Sequence, residues 1–161
     1  MRQIAVLGAT GSIGRSTLDV IARHPDRYQA TVLAANRSVD DMEILCRQHT
    51  PPYAIMGQPD AAEALRERLR DNARITVLSG SEPLDDLVAD PAIHSVVAGI
   101  VGFAGLRSAL SAARAGKHIL LANKEALVSA GGLFMETVRS GGATLLPVDS
   151  EHNAMHQCLP I

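Results

Sequence analysis

Short apolar segments alternate with helical periodicity along most of the chain. Residues 4–7 form an uninterrupted apolar run, and the stretch that follows places its apolar positions on one helical face. The pattern predicts strands over 4–7, 30–35, 53–56, 75–78, 95–100, 119–122 and 144–148, and helices over 12–24, 39–49, 61–69, 106–113 and 124–139. Most of these strands are apolar without alternation, so helices should cover both of their faces. We therefore predict an α/β fold with a doubly wound, mostly parallel sheet and helices on both faces.

The composition excludes several classes of protein. Of 161 residues, 47% are hydrophobic and 20% charged, which is ordinary globular usage rather than that of a disordered chain. A net charge of -2 and the scarcity of aromatic residues, with no tryptophan, argue against nucleic acid as a partner. The apolar runs are too short for a membrane span, and the first strand begins close to Met1, so we expect no leader peptide. Cys46 and Cys158 have neither metal-ligand nor disulfide spacing, and we expect a cytoplasmic protein.

A glycine-rich turn, GATGSIG at residues 8–14, joins the first predicted strand to the first predicted helix. Gly8 would permit the tight turn, Gly11 would let a pyrophosphate approach the backbone, and Gly14 would let helix and strand pack closely. The N–H groups that open the helix would then bind phosphate. The spacing GxxGxxG is a variant of the dinucleotide fingerprint and favours a Rossmann-like fold; a strand–helix turn without a ligand is the alternative.

The end of the second predicted strand indicates which dinucleotide is bound. NAD-binding proteins usually place an acid there and NADP-binding proteins an arginine. This chain has Asn36, Arg37 and Ser38, which favours NADP. The alternative is that Arg37 is a solvated loop residue, and the nearby Asp40 and Asp41 weaken the inference.

Asn123, Lys124 and Glu125 lie where a predicted strand passes into a predicted helix. Asn123 suits a helix N-cap and Glu125 suits a first helical turn, so helix formation alone explains both. It does not explain Lys124, because a cation is disfavoured at that end of a helix. We therefore expect Lys124 to meet an anionic or polarised substrate.

A second polar cluster, Asp149, Ser150 and Glu151, follows the last predicted strand. If the segment is extended, both carboxylates face one side and would favour Mg²⁺ or Mn²⁺. If it opens a helix, Ser150 is the cap and Glu151 lies in the first turn. His152 and His156 are spaced i, i+4 as in a zinc pair, but without an HExxH pattern a solvated or core role is the simpler interpretation.

Three stretches together resemble the 1-deoxy-D-xylulose 5-phosphate reductoisomerase family: GATGSIG at 8–14, LANKEAL at 121–127 and LPVDSEHNA at 146–154. The last is highly specific to that family, and the resemblance spans the whole chain. Such enzymes catalyse the second step of the non-mevalonate route to isoprenoids. They rearrange the phosphorylated ketose skeleton and reduce the resulting aldehyde with NADPH, giving 2-C-methyl-D-erythritol 4-phosphate, and they require a divalent metal.

The resemblance implies a role for each matching residue. Around the cofactor it implies contacts to the pyrophosphate, the 2′-phosphate and the nicotinamide from Gly8, Thr10, Gly11, Ser12, Ile13, Asn36, Arg37, Ser38, Asn123 and Glu125. The family often has Gly-Lys-Asn where this chain has 36–38, so the chain departs at all three positions, although Arg37 keeps a cation. Around the substrate it implies Mn²⁺ or Mg²⁺ ligands at Asp149 and Glu151, substrate contacts at Lys124, Ser150 and Glu151, and catalytic roles for Lys124, Asp149 and Glu151.

The resemblance also predicts what this chain lacks. The family's third metal carboxylate, its histidine-bearing mobile loop and its substrate-phosphate groups lie beyond Ile161. We expect an NADP-binding domain over 1–147 and the truncated start of a catalytic, metal-binding domain over 148–161. The chain alone should bind NADPH without turning over the phosphorylated sugar, and the full-length protein should be a homodimer.

Other protein classes fit less well. A short-chain dehydrogenase needs Tyr-x-x-x-Lys, which neither tyrosine provides, and a phosphate-loop NTPase needs Gly-Lys-Ser/Thr, which residues 116–118 do not match. A semialdehyde dehydrogenase needs a nucleophilic cysteine, for which Cys158 near His156 is the candidate. An NADP-binding redox-sensing module would explain the glycine-rich turn but give Asp149 and Glu151 no role.

Overall fold

One parallel sheet forms the centre of the protein. The computed structural model describes residues 1–122 and 124–159, without the side chains of residues 103, 124–126 and 129. Within that part of the chain the strands are β1 (Arg2–Leu7), β2 (Tyr28–Ala35), β3 (Tyr53–Met56), β4 (Thr76–Ser79), β5 (Ser95–Ala98), β6 (His118–Leu121) and β7 (Thr144–Pro147). Their order is β4-β3-β2-β1-β5-β6-β7, and every pairing is parallel. The predicted doubly wound sheet is confirmed.

Helices connect the strands and lie on both faces of the sheet. They are α1 (Ser12–Arg23), α2 (Val39–His49), α3 (Pro59–Arg68), α4 (Ser81–Ala89), α5 (Leu106–Arg114), α6 (Lys124–Gly141) and α7 (Ser150–Cys158). Among the helices before β7, the sequence pattern missed α4, where Pro83 and several acids obscure the apolar positions. Proline is tolerated there because the first turn of a helix has N–H groups without intrahelical partners. Leu84 and Val88, one turn apart, are the apolar anchors of α4 and are buried.

Each central strand supplies apolar side chains to both faces. In β1, Ile4 and Val6 pack with residues of α1, α2 and α3, whereas Ala5 and Leu7 pack with residues of α4, α5 and α6. This division follows from the two-residue period of a strand. It explains why the strands lack polar alternation, and it gives the protein two hydrophobic layers with the sheet between them.

The direction of strand addition reverses between β1 and β5. From β1 the sheet grows outward to β4, and the chain then returns to β5 beside β1 and continues outward to β7. The carboxyl ends of parallel strands lie at the same edge, and the reversal opens a crevice there. All the predicted site segments directly follow strands at this edge: 8–14 after β1, 36–38 after β2, 123–125 after β6 and 149–151 after β7.

Two buried charged side chains brace the layer that contains α4 and α5. The Lys117 ammonium group donates to the carbonyl oxygens of Asp90 (2.6 Å) and Ile93 (2.8 Å). Burial lowers the pKa of Lys117. Asp85 of α4 accepts a hydrogen bond from Ser108 of α5 (2.8 Å) and pairs with Arg107 (2.5 Å). Both groups serve the packing of this layer rather than the carboxyl edge.

The long helix α6 is bent. Ala130 has φ -142° and ψ 29°, outside the helical range, and Gly131 and Gly132 follow it. Glycine is unfavourable in the interior of a helix, and the bend lies beside this pair. Among the described helices, none has the length and apolar composition needed to cross a bilayer.

Candidate functional site

The glycine-rich turn is built by backbone contacts that exclude side chains. Gly8 has φ +78°, a conformation that favours glycine, and its N–H donates to the carbonyl oxygen of Ala34 at the end of β2 (2.9 Å). A Cβ at Gly8 would lie 2.6 Å from the carbonyl oxygen of Gly99. The turn therefore sits where β1, β2 and β5 meet, at the crevice of the sheet.

Gly14 and Gly11 serve the same turn in different ways. A Cβ at Gly14 would lie 2.4 Å from the carbonyl oxygen of Gly8, so glycine there is a packing requirement. A Cβ at Gly11 would be 3.3 Å from the same oxygen, and Gly11 is exposed. Gly11 is the N-cap of α1, has no side chain to cap the helix, and the first turn of α1 contains no acid. The N–H groups that open α1 are thus available to an anion.

The residues after β2 form an exposed polar loop. Asn36 is held by its neighbours, since its carbonyl oxygen accepts from the Gln58 N–H (3.1 Å) and its side chain lies over Gly57. Arg37 is exposed, and no carboxylate whose side chain the structure describes pairs with it. Ser38 is the N-cap of α2, and its side chain makes no capping bond. This loop offers a cation, an amide and a hydroxyl to a ligand.

The two acids that follow this loop are each paired with an arginine. Asp41 pairs with Arg15 at 2.8 Å, and Asp40 pairs with Arg68 of α3, which also pairs with Glu43. These ion pairs weaken the objection that the acids raised against a phosphate at this position, because they offset part of the negative charge.

Arg15 is a residue that sequence reasoning missed. Its Nε donates to the carbonyl oxygen of Thr10 in the glycine-rich turn (3.1 Å), and its Nη2 reaches Asp41 of α2. An arginine directly after the last glycine of the turn, with an acid early in the next helix, was the available signal. Its significance depends on the spacing of α1 and α2, which local sequence does not specify.

The third predicted segment is described only by its backbone position. α6 begins at Lys124, shortly after β6 ends at Leu121, on the carboxyl edge of the sheet. Asn123, predicted to line the nicotinamide side, lies outside the described residues. The side chains of Lys124 and Glu125, predicted to contact substrate and cofactor, also lie outside them.

The segment after β7 is helical, so the geometry argued from an extended strand was wrong. α7 starts at Ser150, and Asp149 rather than Ser150 is its N-cap. The Asp149 carboxylate accepts from the His152 N–H at 2.9 Å. The period-two argument for a shared face of Asp149 and Glu151 therefore does not apply. Both carboxylates nevertheless lie at the same N-terminal end of α7.

The electrostatics of this end favour ionised oxygen ligands. Hydrogen bonding from the His152 backbone, and then from its ring 2.7 Å away, lowers the pKa of Asp149. Glu151 is exposed, and Ser150 donates to it at 3.1 Å. Asp149 and Glu151 are carboxylates, the ligand type that Mg²⁺ and Mn²⁺ prefer, so the predicted ligands fit such an ion chemically. In the part of the chain that the structure describes, no three metal-binding side chains meet, so these residues could supply only part of a six-ligand shell.

An apolar cavity of about 270 Å³ lies beside these residues. Its walls combine the ends of β6 and β7 with one side of α7, and they include Leu121, Pro147, Asp149, His152 and His156. The two histidines line it together, but His152 is bonded to Asp149 and both are exposed. The interpretation of His152 as a solvated histidine fits better than a zinc pair.

The two cysteines lie in different environments. Cys46 is fully buried in α2, and burial raises the pKa of its thiol to about 12. Cys158 is exposed at the last position of α7. Cys46 is therefore unsuited to nucleophilic catalysis, since the thiolate is the reactive form.

A doubly wound parallel sheet with a glycine-rich turn after its first strand is the architecture of Rossmann-like α/β proteins. The sequence model of 1-deoxy-D-xylulose 5-phosphate reductoisomerase matches residues 4–131, and the chain belongs to that family. A 1-deoxy-D-xylulose 5-phosphate reductoisomerase from Ralstonia pickettii is 55% identical over 161 residues, which cover 99% of this chain and 41% of that protein. One from Methylococcus capsulatus is 56% identical with the same coverage. The chain thus spans about 40% of the length of these relatives.

Solved structures give the same result. A DOX-P reductoisomerase in complex with magnesium is 48% identical and has a TM-score of 0.95, covering 99% of this chain and 40% of that one. The Zymomonas mobilis 1-deoxy-D-xylulose 5-phosphate reductoisomerase in complex with NADPH is 46% identical, with a TM-score of 0.93 over 99% of this chain and 42% of that one. The resemblance noted from three sequence stretches is confirmed at the level of family and fold.

Proposed function

We propose that the protein to which this chain belongs is an NADPH-dependent, metal-assisted reductoisomerase. It converts 1-deoxy-D-xylulose 5-phosphate to 2-C-methyl-D-erythritol 4-phosphate in non-mevalonate isoprenoid biosynthesis. Residues 1–147 form the NADP-binding domain, and residues 148–161 begin the catalytic domain. The observation that carries the proposal is the glycine-rich turn, in which Gly8 and Gly14 leave no room for a Cβ and which leads into the open N-terminus of α1, in a chain of this family.

The cofactor lies along the carboxyl edge of the sheet. Thr10, Gly11, Ser12 and Ile13 bind the pyrophosphate, because their backbone surrounds the start of α1. Arg37 supplies the charge for the adenosine 2′-phosphate, and Asn36 and Ser38 supply hydrogen bonds. The structure of the relative that contains NADPH supports this cofactor. Asn123 and Glu125 would line the nicotinamide, and NADPH would supply the hydride for the reduction.

The substrate lies at the β6 and β7 end of the crevice. The Lys124 ammonium group contacts and orients the phosphorylated sugar, and Ser150 and Glu151 bond to its hydroxyl groups. Asp149 and Glu151 would hold Mn²⁺ or Mg²⁺, which would supply Lewis-acid chemistry for the substrate carbonyl. The His152 backbone N–H donates to the Asp149 carboxylate. This hydrogen bond lowers the pKa of Asp149 and holds its side chain at the N-terminus of α7. The magnesium in a related structure supports a divalent metal.

This 161-residue chain alone binds NADPH and does not turn over substrate, because two carboxylates complete no metal shell. The full-length protein works as a homodimer in the cytoplasm on a small phosphorylated sugar. The composition, with its modest net charge and few aromatic residues, supports a small-molecule partner rather than nucleic acid or a membrane.

Two polypeptides test the proposal. One is the chain itself, and the other is a chimera in which the part of the Ralstonia pickettii relative beyond the matched residues follows the chain. We expect both to bind NADPH in calorimetric titrations, and only the chimera to oxidise NADPH when given substrate and Mn²⁺. NADPH oxidation by the chain alone would refute its inactivity, and a folded chimera that binds no NADPH would overturn the proposed function.

A substitution at Gly11 tests how the turn binds the cofactor. In Gly11→Ala the added methyl group occupies the space through which a pyrophosphate reaches the backbone, and it also makes a tight contact (3.3 Å) with the Gly8 carbonyl oxygen. We expect NADPH affinity to fall by about tenfold or more, and denaturant unfolding of the same variant measures any accompanying loss of stability. Gly132→Ala is the matched control, because a Cβ there meets nothing within 4 Å.

A further inference from the structure

Two acids stand beside the loop that we assign to the 2′-phosphate. Asp40 and Asp41 occupy the first turn of α2, directly after Arg37 and Ser38. An uncompensated carboxylate there would repel a phosphate group across a few ångströms. It would also suit the ribose 2′-hydroxyl of NADH, which acidic residues at this position commonly bind. Without compensating positive charges, these acids would favour NADH over NADPH.

The structure shows how each acid is compensated. Asp40 pairs with Arg68, which reaches across from α3. Asp41 pairs with Arg15 of α1, Nη2 to Oδ1 at 2.8 Å. Arg68 also pairs with Glu43, whereas the Nε of Arg15 donates to the carbonyl oxygen of Thr10, inside the glycine-rich turn (3.1 Å). One guanidinium group therefore joins the pyrophosphate turn to the start of α2.

We propose that Arg15 is a specificity-determining residue for the phosphorylated dinucleotide. It cancels the charge of Asp41 beside the 2′-phosphate and holds the turn at a fixed distance from the Arg37 loop. This inference rests on the proposed function, since it concerns the same cofactor site. Arg15 acts through Asp41 and Thr10, so it positions and neutralises rather than taking part in the chemistry.

A double-mutant cycle tests the inference by titrating the full chain with NADPH and with NADH. We expect Arg15→Gln to weaken NADPH binding about fivefold and to leave NADH binding unchanged or slightly improved. In the double variant with Asp41→Asn, NADPH affinity should return close to that of the unsubstituted chain, because the charge that Arg15 cancels is gone. The loss in Arg15→Gln should also shrink at high salt.

Arg23→Gln is the matched control. Arg23 lies two turns further along α1 and forms an exposed i,i+4 pair with Asp19 at 2.8 Å, so it should not affect either cofactor. If Arg15→Gln does not fold, the single variant Asp41→Asn tests the inference. We expect it to strengthen NADPH binding relative to NADH binding, because the positive charge of Arg15 is then no longer cancelled by Asp41.

The outcomes separate this inference from the proposed function. If the unsubstituted chain and its chimera bind neither nucleotide, the proposed function fails. If the unsubstituted chain prefers NADPH but Arg15→Gln weakens both nucleotides equally, or Asp41→Asn gives no rescue, the proposed function stands and the role of Arg15 is overturned.

Discussion

Gly14 lies directly against the carbonyl oxygen of Gly8, and a Cβ at Gly14 would stand 2.4 Å from that oxygen. Because the obstructing atoms belong to the backbone, Gly14→Ala must displace the turn or the start of α1. We expect the free energy of unfolding to fall by about 1–3 kcal/mol, the usual cost of overpacking. Denaturant unfolding measures this, with Gly132→Ala as control; equal stability of the two variants would contradict the packing role.

The buried Lys117 makes a second prediction about stability. Lys117→Met keeps most of the side-chain volume but removes the donor to the carbonyl oxygens of Asp90 and Ile93, of which the Asp90 oxygen keeps a hydrogen bond from the Ile93 N–H. We expect a loss of about 1–3 kcal/mol in the free energy of unfolding. Arg114→Met, at an exposed position, is the control. A neutral Lys117→Met variant would show that the two hydrogen bonds are replaced by water.

The same lysine predicts a dependence on pH. The pKa of Lys117 is lower in the folded than in the unfolded protein, so the folded state binds the proton less tightly. The contribution of Lys117 to the free energy of unfolding should therefore increase as the pH rises from its pKa in the folded protein toward its pKa in the unfolded protein. The difference in unfolding free energy between Lys117→Met and the unsubstituted chain should grow over that range. A difference that shrinks with rising pH would contradict this sign.

Thiol labelling separates the two cysteines and tests the cysteine-enzyme alternative. With the pKa of Cys46 raised to about 12 by burial, iodoacetamide at pH 8 should modify Cys158 and leave Cys46 intact until the protein unfolds. Mass spectrometry of the native and denatured protein measures this. Cys158→Ser in the chimera should retain full activity; inactivation would instead favour a semialdehyde-type dehydrogenase.

Helix α7 depends on its cap more than the other helices do. Within the described residues it buries no side chain, so the hydrogen bond from the His152 N–H to Asp149 is a main local constraint on its first turn. Asp149→Ala should therefore speed amide exchange in the first turn of α7. Ser150→Ala is the control, because Ser150 bonds only to the exposed Glu151. If the two substitutions speed amide exchange in the first turn of α7 equally, Ser150 caps the helix as much as Asp149 does.

Most of the fold was predictable because burial on both faces leaves a direct trace in the sequence. Strands such as 30–35 are apolar throughout, and no competing local signal obscures them. The miss at α4 has a physical reason: Pro83 is tolerated because it lies in the first turn of that helix, and Asp85 is tolerated in a buried position because it pairs with Arg107 and accepts a hydrogen bond from Ser108. In the sequence pattern, the proline and the acids obscured the helical spacing of the two buried apolar residues, Leu84 and Val88.

The candidate site was predictable only where backbone chemistry dictates the residue type. Gly8 and Gly14 are required by contacts that no other residue allows, so the motif alone indicates them. The cap at Asp149 was misplaced by one residue, because aspartate and serine cap helices about equally well. Arg15 was missed because its partner, Asp41, lies on a different helix, and the pairing depends on tertiary packing.

The contact between Gly8 and Gly99 has a consequence for how such proteins can be recombined. The two glycines end β1 and β5 and touch backbone to backbone, since a Cβ at Gly8 would lie 2.6 Å from the Gly99 carbonyl oxygen. At this point the parts of the chain before and after β5 are therefore fitted to each other backbone to backbone. A side chain at either glycine would push the two backbones apart. A recombinant protein whose two parental sequences join in the loop before β5 must therefore keep both glycines. If either glycine is lost, both sides of the crevice are disturbed together.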